Sequence, residues 1–260
     1  MDKLANPLCF VMEGASLKPV CLSLDLEVNK ENVIKAIGGV CYGRDKGFTY
    51  SIKDIVRGLN LLDEYAKGIP FILGHNLLSF DLPFLEATKP DLRLLNLPVV
   101  DTLKLSPLAF PRNPYHSLVK HYKDGKITQG QLNDPELDSR LALKVFDDQL
   151  EEFRKALPDL LKAWHWLCTP QPEGSDYALD EMFCHIRQVQ RPTQDDATIA
   201  IESLLKNITC KSYSDEVFTS AKQYRWELAY TLAWLSVAGG NSVMPPWVRM
   251  QFPKTAELVN

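Results

Sequence analysis

The stretch Cys21-Leu22-Ser23-Leu24-Asp25-Leu26-Glu27-Val28 decides how the rest of the chain is read. Apolar residues alternate with Ser23, Asp25 and Glu27, the period-two pattern of a strand, so Asp25 and Glu27 point to the same face of a sheet. Like charges ~4 Å apart in a partly buried setting repel by several kcal/mol, so such a pair requires a cation, a proton or a basic partner. No Lys or Arg lies within the stretch. An Asp-x-Glu pair on a solvated edge strand would require none of these, but Leu22, Leu24, Leu26 and Val28 argue for a strand packed inside the sheet.

Working outward, Val33–Tyr42 and Phe48–Ser51 continue the strand pattern across two charged turns, Asn29–Asn32 and Gly43–Gly47, giving a three-strand meander. Ile52, Ile55, Val56, Leu59, Leu62 and Tyr65 then recur at helical spacing, and Gly68 with Pro70 ends the run. Pro70–Leu73 is short and wholly apolar, as a strand buried on both faces of a parallel sheet must be. A short helix over Leu82–Ala87 leads to another such strand, Leu97–Asp101. After Asp134, Pro135 suits the first turn of a helix, and Leu137, Leu141, Val145, Phe146 and Leu150 carry it to Leu157. Strands followed by alternating strands and helices imply a mixed five-stranded sheet flanked by helices, an α/β fold. Beyond the loop-like Thr169–Asp176 the pattern is helical, so we expect a first domain over 1–165 and a helical extension or connector over 166–260.

Two further acids fall at telling places. Asp81 follows the central strand candidate through Gly74-His75-Asn76-Leu77-Leu78-Ser79-Phe80 and opens the next helix, where an acid also serves as a cap or a first-turn dipole partner. Asp138 lies one turn inside the long helix, with Leu141 and Leu143 following, so one face can turn toward the sheet.

The order Asp-x-Glu, then Gly-His-Asn with Phe-Asp, then Val-Asp-Thr at Val100–Thr102, then a helical Asp resembles the DnaQ-like (DEDD) exonuclease domain over residues ~20–150. The resemblance implies an RNase H-like fold and a metal-dependent 3′-5′ exonuclease in which Asp25, Glu27, Asp81 and Asp138 hold two Mg²⁺ or Mn²⁺ ions. Hard cations prefer such oxygen ligands, and two of them ~4 Å apart can activate a water and stabilise the attacking and leaving oxygens of a phosphodiester displacement. The chain sits closest to the branch that places a general-base histidine five residues before the last aspartate, but that position holds Asn133, and the position of the alternative tyrosine holds Asp134. An amide cannot accept the proton of the attacking water. The expectation is slow hydrolysis, rescue by a nearby histidine such as His116 or His121, or a domain that binds nucleic acid without cutting it. A base contributes only ~10²–10⁴-fold, which leaves room for the first of these.

Arg112, His116, Lys120 and Lys123 lie in a basic stretch, Phe110–Lys126, suited to the phosphates of a single-stranded 3′ end of DNA. The apolar, aromatic tail Leu228–Pro253 is similar to the connector after an exonuclease domain in some bacterial RecQ-like helicases, implying an exposed surface that faces a helicase partner and a setting in DNA repair or phage defence. No Gly-x-x-x-x-Gly-Lys-Ser/Thr loop is present, so the chain carries no ATPase motif of that type.

Composition bounds these readings. The 260 residues are 45% hydrophobic and 24% charged, as in ordinary globular proteins, and the net charge of −4 argues against bulk coating of duplex DNA. Six cysteines without a C-x-x-C pair do not make a disulfide scaffold, and no signal peptide or membrane span is legible, so a cytoplasmic location is expected.

Overall fold

The computed structural model describes residues 8–44, 46–51, 54–113, 116–118, 134–206, 223–237, 250 and 253–254. By their contacts the residues form two units, 1–103 with 117–147, and 104–116 with 148–260.

The first unit is α/β. A hairpin of β1 (Phe10–Glu13) and β2 (Ser16–Pro19) comes first, closed by a two-residue turn in which Gly14 takes φ +63°, a conformation that costs a glycine nothing. This hairpin carries no strong period in the sequence and is an addition to the expected elements. The sheet follows: β3 (Cys21–Val28), β4 (Ile34–Cys41), β5 (Phe48–Ser51), β6 (Phe71–Gly74) and β7 (Val99–Asp101), in the order β5-β4-β3-β6-β7. The β3–β4 and β4–β5 pairs are antiparallel, whereas β3–β6 and β6–β7 are parallel. The expected mixed five-stranded sheet with flanking helices is therefore present.

Alternation along β3 assigns its two faces. Leu22, Leu24 and Leu26 enter an apolar cluster with Leu59 and Leu62 of α1 (Ile55–Tyr65) and Leu85 of α2 (Asp81–Thr88). Ser23, Asp25 and Glu27 face the opposite side. There Ser23 is fully buried and its hydroxyl donates to the Ser139 carbonyl at 2.8 Å, on α4 (Pro135–Lys155).

The second unit is helical in its described parts. It takes α3 (Thr102–Ala109) from Lys104 onward, the end of α4, α5 (Pro158–Cys168), α6 (Tyr177–Arg187), α7 (Gln194–Leu205) and α8 (Arg225–Ser236). The loop over 169–176 joins α5 to α6 within this unit. Its core is aromatic: Phe153 packs edge-on against Trp164 at 5.8 Å, and Trp164 Nε1 donates to the Ala229 carbonyl at 3.0 Å. Leu228–Trp234 is buried, and Trp234 Nε1 donates to the Pro111 carbonyl at 3.0 Å. This corrects the expectation of an exposed aromatic tail for its described part; burial of an amphipathic indole with its N–H satisfied is the cheaper solution. Gly239, Gly240, Trp247 and Phe252 lie outside the described residues. Among the described residues no helix is long and apolar enough to cross a membrane.

Candidate metal centre

Asp25, Glu27 and Asp138 each offer a carboxylate oxygen, and these oxygens all lie within 4.8 Å of one another. Asp25 and Glu27 are half-buried and Asp138 is 8% exposed. The sequence accounts for two of the three directly, because residues 25 and 27 share a strand face. Asp138 comes from 111 residues further along, and its arrival depends on how α4 lands on the sheet.

Gly38 makes that landing possible. It pairs with Asp25 across the β3–β4 ladder, and a Cβ at this position would sit 2.0 Å from the Pro135 carbonyl carbon and 2.2 Å from the Glu136 nitrogen. A strand residue without a side chain admits the backbone of the first helical turn, and any larger residue would lift it off. Asp134 closes the helix start, its Oδ1 accepting from the N–H groups of Glu136 and Leu137 at 3.1 and 3.2 Å. Thr49 then donates to Glu136 Oε2 at 2.6 Å while Arg140 Nη2 donates to Oε1 at 2.7 Å, and both bonds hold the Glu136 carboxyl below its usual range. Together with the bond from Ser23 these contacts fix the rotation of α4 about its axis, and with it the direction of Asp138.

Asp81 stands beside this group rather than within the 4.8 Å set. It is 2% exposed, and its Oδ1 accepts the Leu26 N–H at 2.8 Å. β6 pairs with β3 only at residues 21–23, so the Leu26 N–H lies beyond the end of its neighbour strand and Asp81 supplies the acceptor that strand no longer can. The same carboxyl also meets its own backbone N–H in the first turn of α2, so one side chain serves both the strand and the helix start. Burial drives the Asp81 carboxyl from 3.8 up to about 8, the Leu26 N–H works against this, and the negative charges of Asp101 and Glu27 add to the rise. Burial is the main cause and the neighbouring carboxylates the smaller one; a cation held beside the group would favour its charged form.

The sign of the resulting pH effect is definite. As pH rises from 4 to 8 the unfolded chain gives up the Asp81 proton first, so this group lowers stability progressively across that window and fully above about 8. Asp81→Asn is expected to match wild type near pH 4 and to melt higher at pH 8 without metal, by about 1–3 kcal/mol. Melting curves in EDTA across pH 4–8 check this; identical slopes for the two proteins would remove Asp81 as a buried titrating acid.

The remaining expected site residues fall as follows. Arg112 is exposed in the second unit. His116 is 7% exposed, and burial lowers it to about 4 against a backbone bond with Asn113 that raises it, so it is neutral at pH 7 and gives no charge to a phosphate. The sequence shows a His between Tyr115 and Ser117 but not that its side chain is buried. Asn133, Lys120, Lys123 and His121 lie outside the described residues. Asp101 enters the sequence reading only as the middle of Val-Asp-Thr, with no role of its own, and Gly38, Ser23 and Glu136 carry no sequence signal beyond the adjacent glycines of Gly38-Gly39, a recognisable sign of close backbone approach.

A second group, His165, Asp180 and Cys184 in the second unit, has ligand atoms within 4.8 Å of one another but a different character. Arg187 Nη1 lies 2.8 Å from His165 Nδ1, and a guanidinium only donates, so Nδ1 accepts and Nε2 carries the proton it gives to Asp180 Oδ1 at 2.9 Å. Arg191 donates to the same Asp180 oxygen at 2.7 Å. Both ring nitrogens are occupied and two guanidinium groups stand against the cluster, so it is a buried ion-pair network rather than a cation cage. The same unit holds a cleft of about 490 Å³ between Leu157, Leu204, Leu232 and Leu235, with Asp159 beside them.

Comparison of the chain with family models, with curated proteins and with solved structures returned no match. The function of the acidic centre therefore rests on its chemistry.

Proposed function

We propose that the first unit is an RNase H-like, DnaQ-like nuclease domain that hydrolyses phosphodiester bonds of DNA from single-stranded or frayed 3′ ends using two divalent cations. The observation that carries this is the convergence of Asp25, Glu27 and Asp138 within 4.8 Å on the sheet face under α4, with Asp81 buried alongside. The donor set is all carboxylate oxygen, which suits Mg²⁺ or Mn²⁺ and not softer metals. The 3′-5′ polarity and the DNA substrate rest on the motif order in the sequence.

Bound there, the cations would lower the pKa of an attacking water and offset the charge that builds up on the phosphate. The protein's part is positional. Asp25 and Glu27 are fixed by the sheet, Asp138 by the docked helix, and Asp81 by its bond from Leu26 N–H, so the four acids need little reorganisation to accept charge. Leu78 and Phe80, 40% and 39% exposed, adjoin Asp81 in sequence, with Phe80 edge-on to Phe84 at 5.1 Å; they offer an apolar surface for a terminal base.

Degradation of 3′- against 5′-labelled single-stranded DNA in Mn²⁺ tests the reading. The expected result is loss of the 3′ label first, no cutting in EDTA, and a Mn²⁺-dependent rise in melting temperature, ~2.7 kcal/mol when Mn²⁺ is at 100 times its Kd. No rise in melting temperature and no cutting would overturn it.

A second reading is favoured by Asn133, which stands where the base histidine of the resembling branch would be. On it the domain binds a nucleic-acid strand without cutting, in the service of a helicase or a defence complex. It predicts Mn²⁺-dependent retention of single-stranded DNA with both labels intact.

A further inference from the structure

The segment that carries Asp81 into place is six residues long, 75–80, and two consecutive residues, the last of β7 and the first of α3, grip its first half. Asp101, 5% exposed, accepts three backbone N–H groups: Oδ1 takes those of Asn76 and Leu103, each at 2.9 Å, and Oδ2 takes that of Leu78 at 3.0 Å. Thr102 donates its hydroxyl to the Gly74 carbonyl at 3.1 Å and lies 2.9 Å from His75 Nδ1. Because the single hydroxyl proton goes to Gly74, the imidazole is the donor in that contact. Asn76 sits at φ +66°, in the left-handed region that asparagine enters more readily than other side-chain-bearing residues. Its carbonyl then accepts the Phe80 N–H at 3.0 Å, and the Leu77 carbonyl accepts the Leu82 N–H at 3.0 Å, which starts the helix at Asp81.

We propose that Asp101 is a positioning residue: by fixing the turn at Asn76–Leu78 it sets where the Asp81 carboxylate meets Leu26 and, through it, the acidic centre. The chain of bonds runs Asp101, Asn76 and Leu78, Phe80, Asp81, Leu26, and a buried carboxylate that accepts three N–H groups is among the firmer anchors a loop can have. The link to catalysis rests on the two-cation reading above; the link to Asp81 does not.

Residue-resolved amide exchange of the metal-free protein separates the two. In wild type, the amides of Asn76, Leu78, Leu103 and Leu26 are expected to share one protection factor within about threefold, as members of one opening unit do. In Asp101→Asn, which keeps the side-chain volume but loses acceptor capacity, the Leu26 amide is expected to exchange at least ~10-fold faster while Leu22 and Leu24 keep their rates. Unchanged Leu26 protection in the variant, or wild-type protection factors scattered over ~100-fold, overturns the proposal; the wild-type arm decides it even if the variant does not fold. In Mn²⁺ titrations Asp101→Asn is expected to bind at least ~10-fold more weakly, with no further loss in the Asp81→Asn, Asp101→Asn double variant, since the one acts through the other. Additive losses in the double variant overturn the coupling. A wild type that binds no Mn²⁺ defeats the cation reading alone and leaves the exchange result standing.

Discussion

Asp25→Asn is expected to reduce Mn²⁺-dependent hydrolysis of a 3′-labelled single strand by at least ~1000-fold, about 4 kcal/mol of transition-state stabilisation, while the protein stays folded. Asp25 is one of the three acids that make up the centre. It shares a sheet face with Glu27, faces Gly38 on the neighbouring strand, and lies in the 4.8 Å set that Asp138 completes. Asparagine keeps the volume and one oxygen but removes the charge, so cation affinity falls. The metal-free fold is relieved of the repulsion of Asp25 against Glu27 and Asp138, so its melting temperature should hold or rise in EDTA. The Mn²⁺-induced rise in melting temperature should shrink with the activity. Cutting that survives the substitution would place the chemistry elsewhere, and a collapse of the metal-free fold would mean that Asp25 is structural.

Gly38→Ala is the second large effect, and it acts through geometry alone. The added methyl would lie 2.0 Å from the carbonyl carbon of Pro135 and 2.3 Å from its oxygen, both backbone atoms that no rotamer change can move aside. Either α4 shifts or β4 bends, at a cost of about 3 kcal/mol or more. The bonds from Ser23 to Ser139 and from Thr49 to Glu136 stretch with that shift, and Asp138 leaves the carboxylate set. Gly39→Ala is the control: its Cβ points to the other face and meets the ends of Leu22 and Leu62 side chains at 3.0 and 3.6 Å, which can adjust. Chemical denaturation and Mn²⁺ titration of both variants check the contrast. Equal stability and equal Mn²⁺ affinity for Gly38→Ala and wild type would show that α4 does not depend on this close approach.

The strands and helices around the site were legible because their signals are local. Cys21–Val28 alternates cleanly and is a strand over the expected bounds, Phe48–Ser51 likewise, and the apolar Pro70–Leu73 run became the central parallel strand one residue later, at Phe71–Gly74. The hairpin at Phe10–Pro19 was not, since four-residue strands joined by Gly14-Ala15 leave no period to detect. His116 and the Leu228–Trp234 stretch read as polar contact and exposed surface because residue type does not report what packs over it. Trp234, for one, is buried with its N–H on the carbonyl of Pro111, 123 residues earlier in the chain.

The order of chemical types along the chain sufficed to nominate Asp25, Glu27, Asp81 and Asp138, because strand alternation and helix starts are written in neighbouring residues. Tertiary structure alone decided that Asp138 joins Asp25 and Glu27 while Asp81 is held to one side by Leu26, and that Asp101 governs the turn between. Those outcomes turn on a missing Cβ at Gly38 and on where β6 stops short of β3. A close approach and an unpaired strand edge are properties of two segments at once, and neither segment carries them alone.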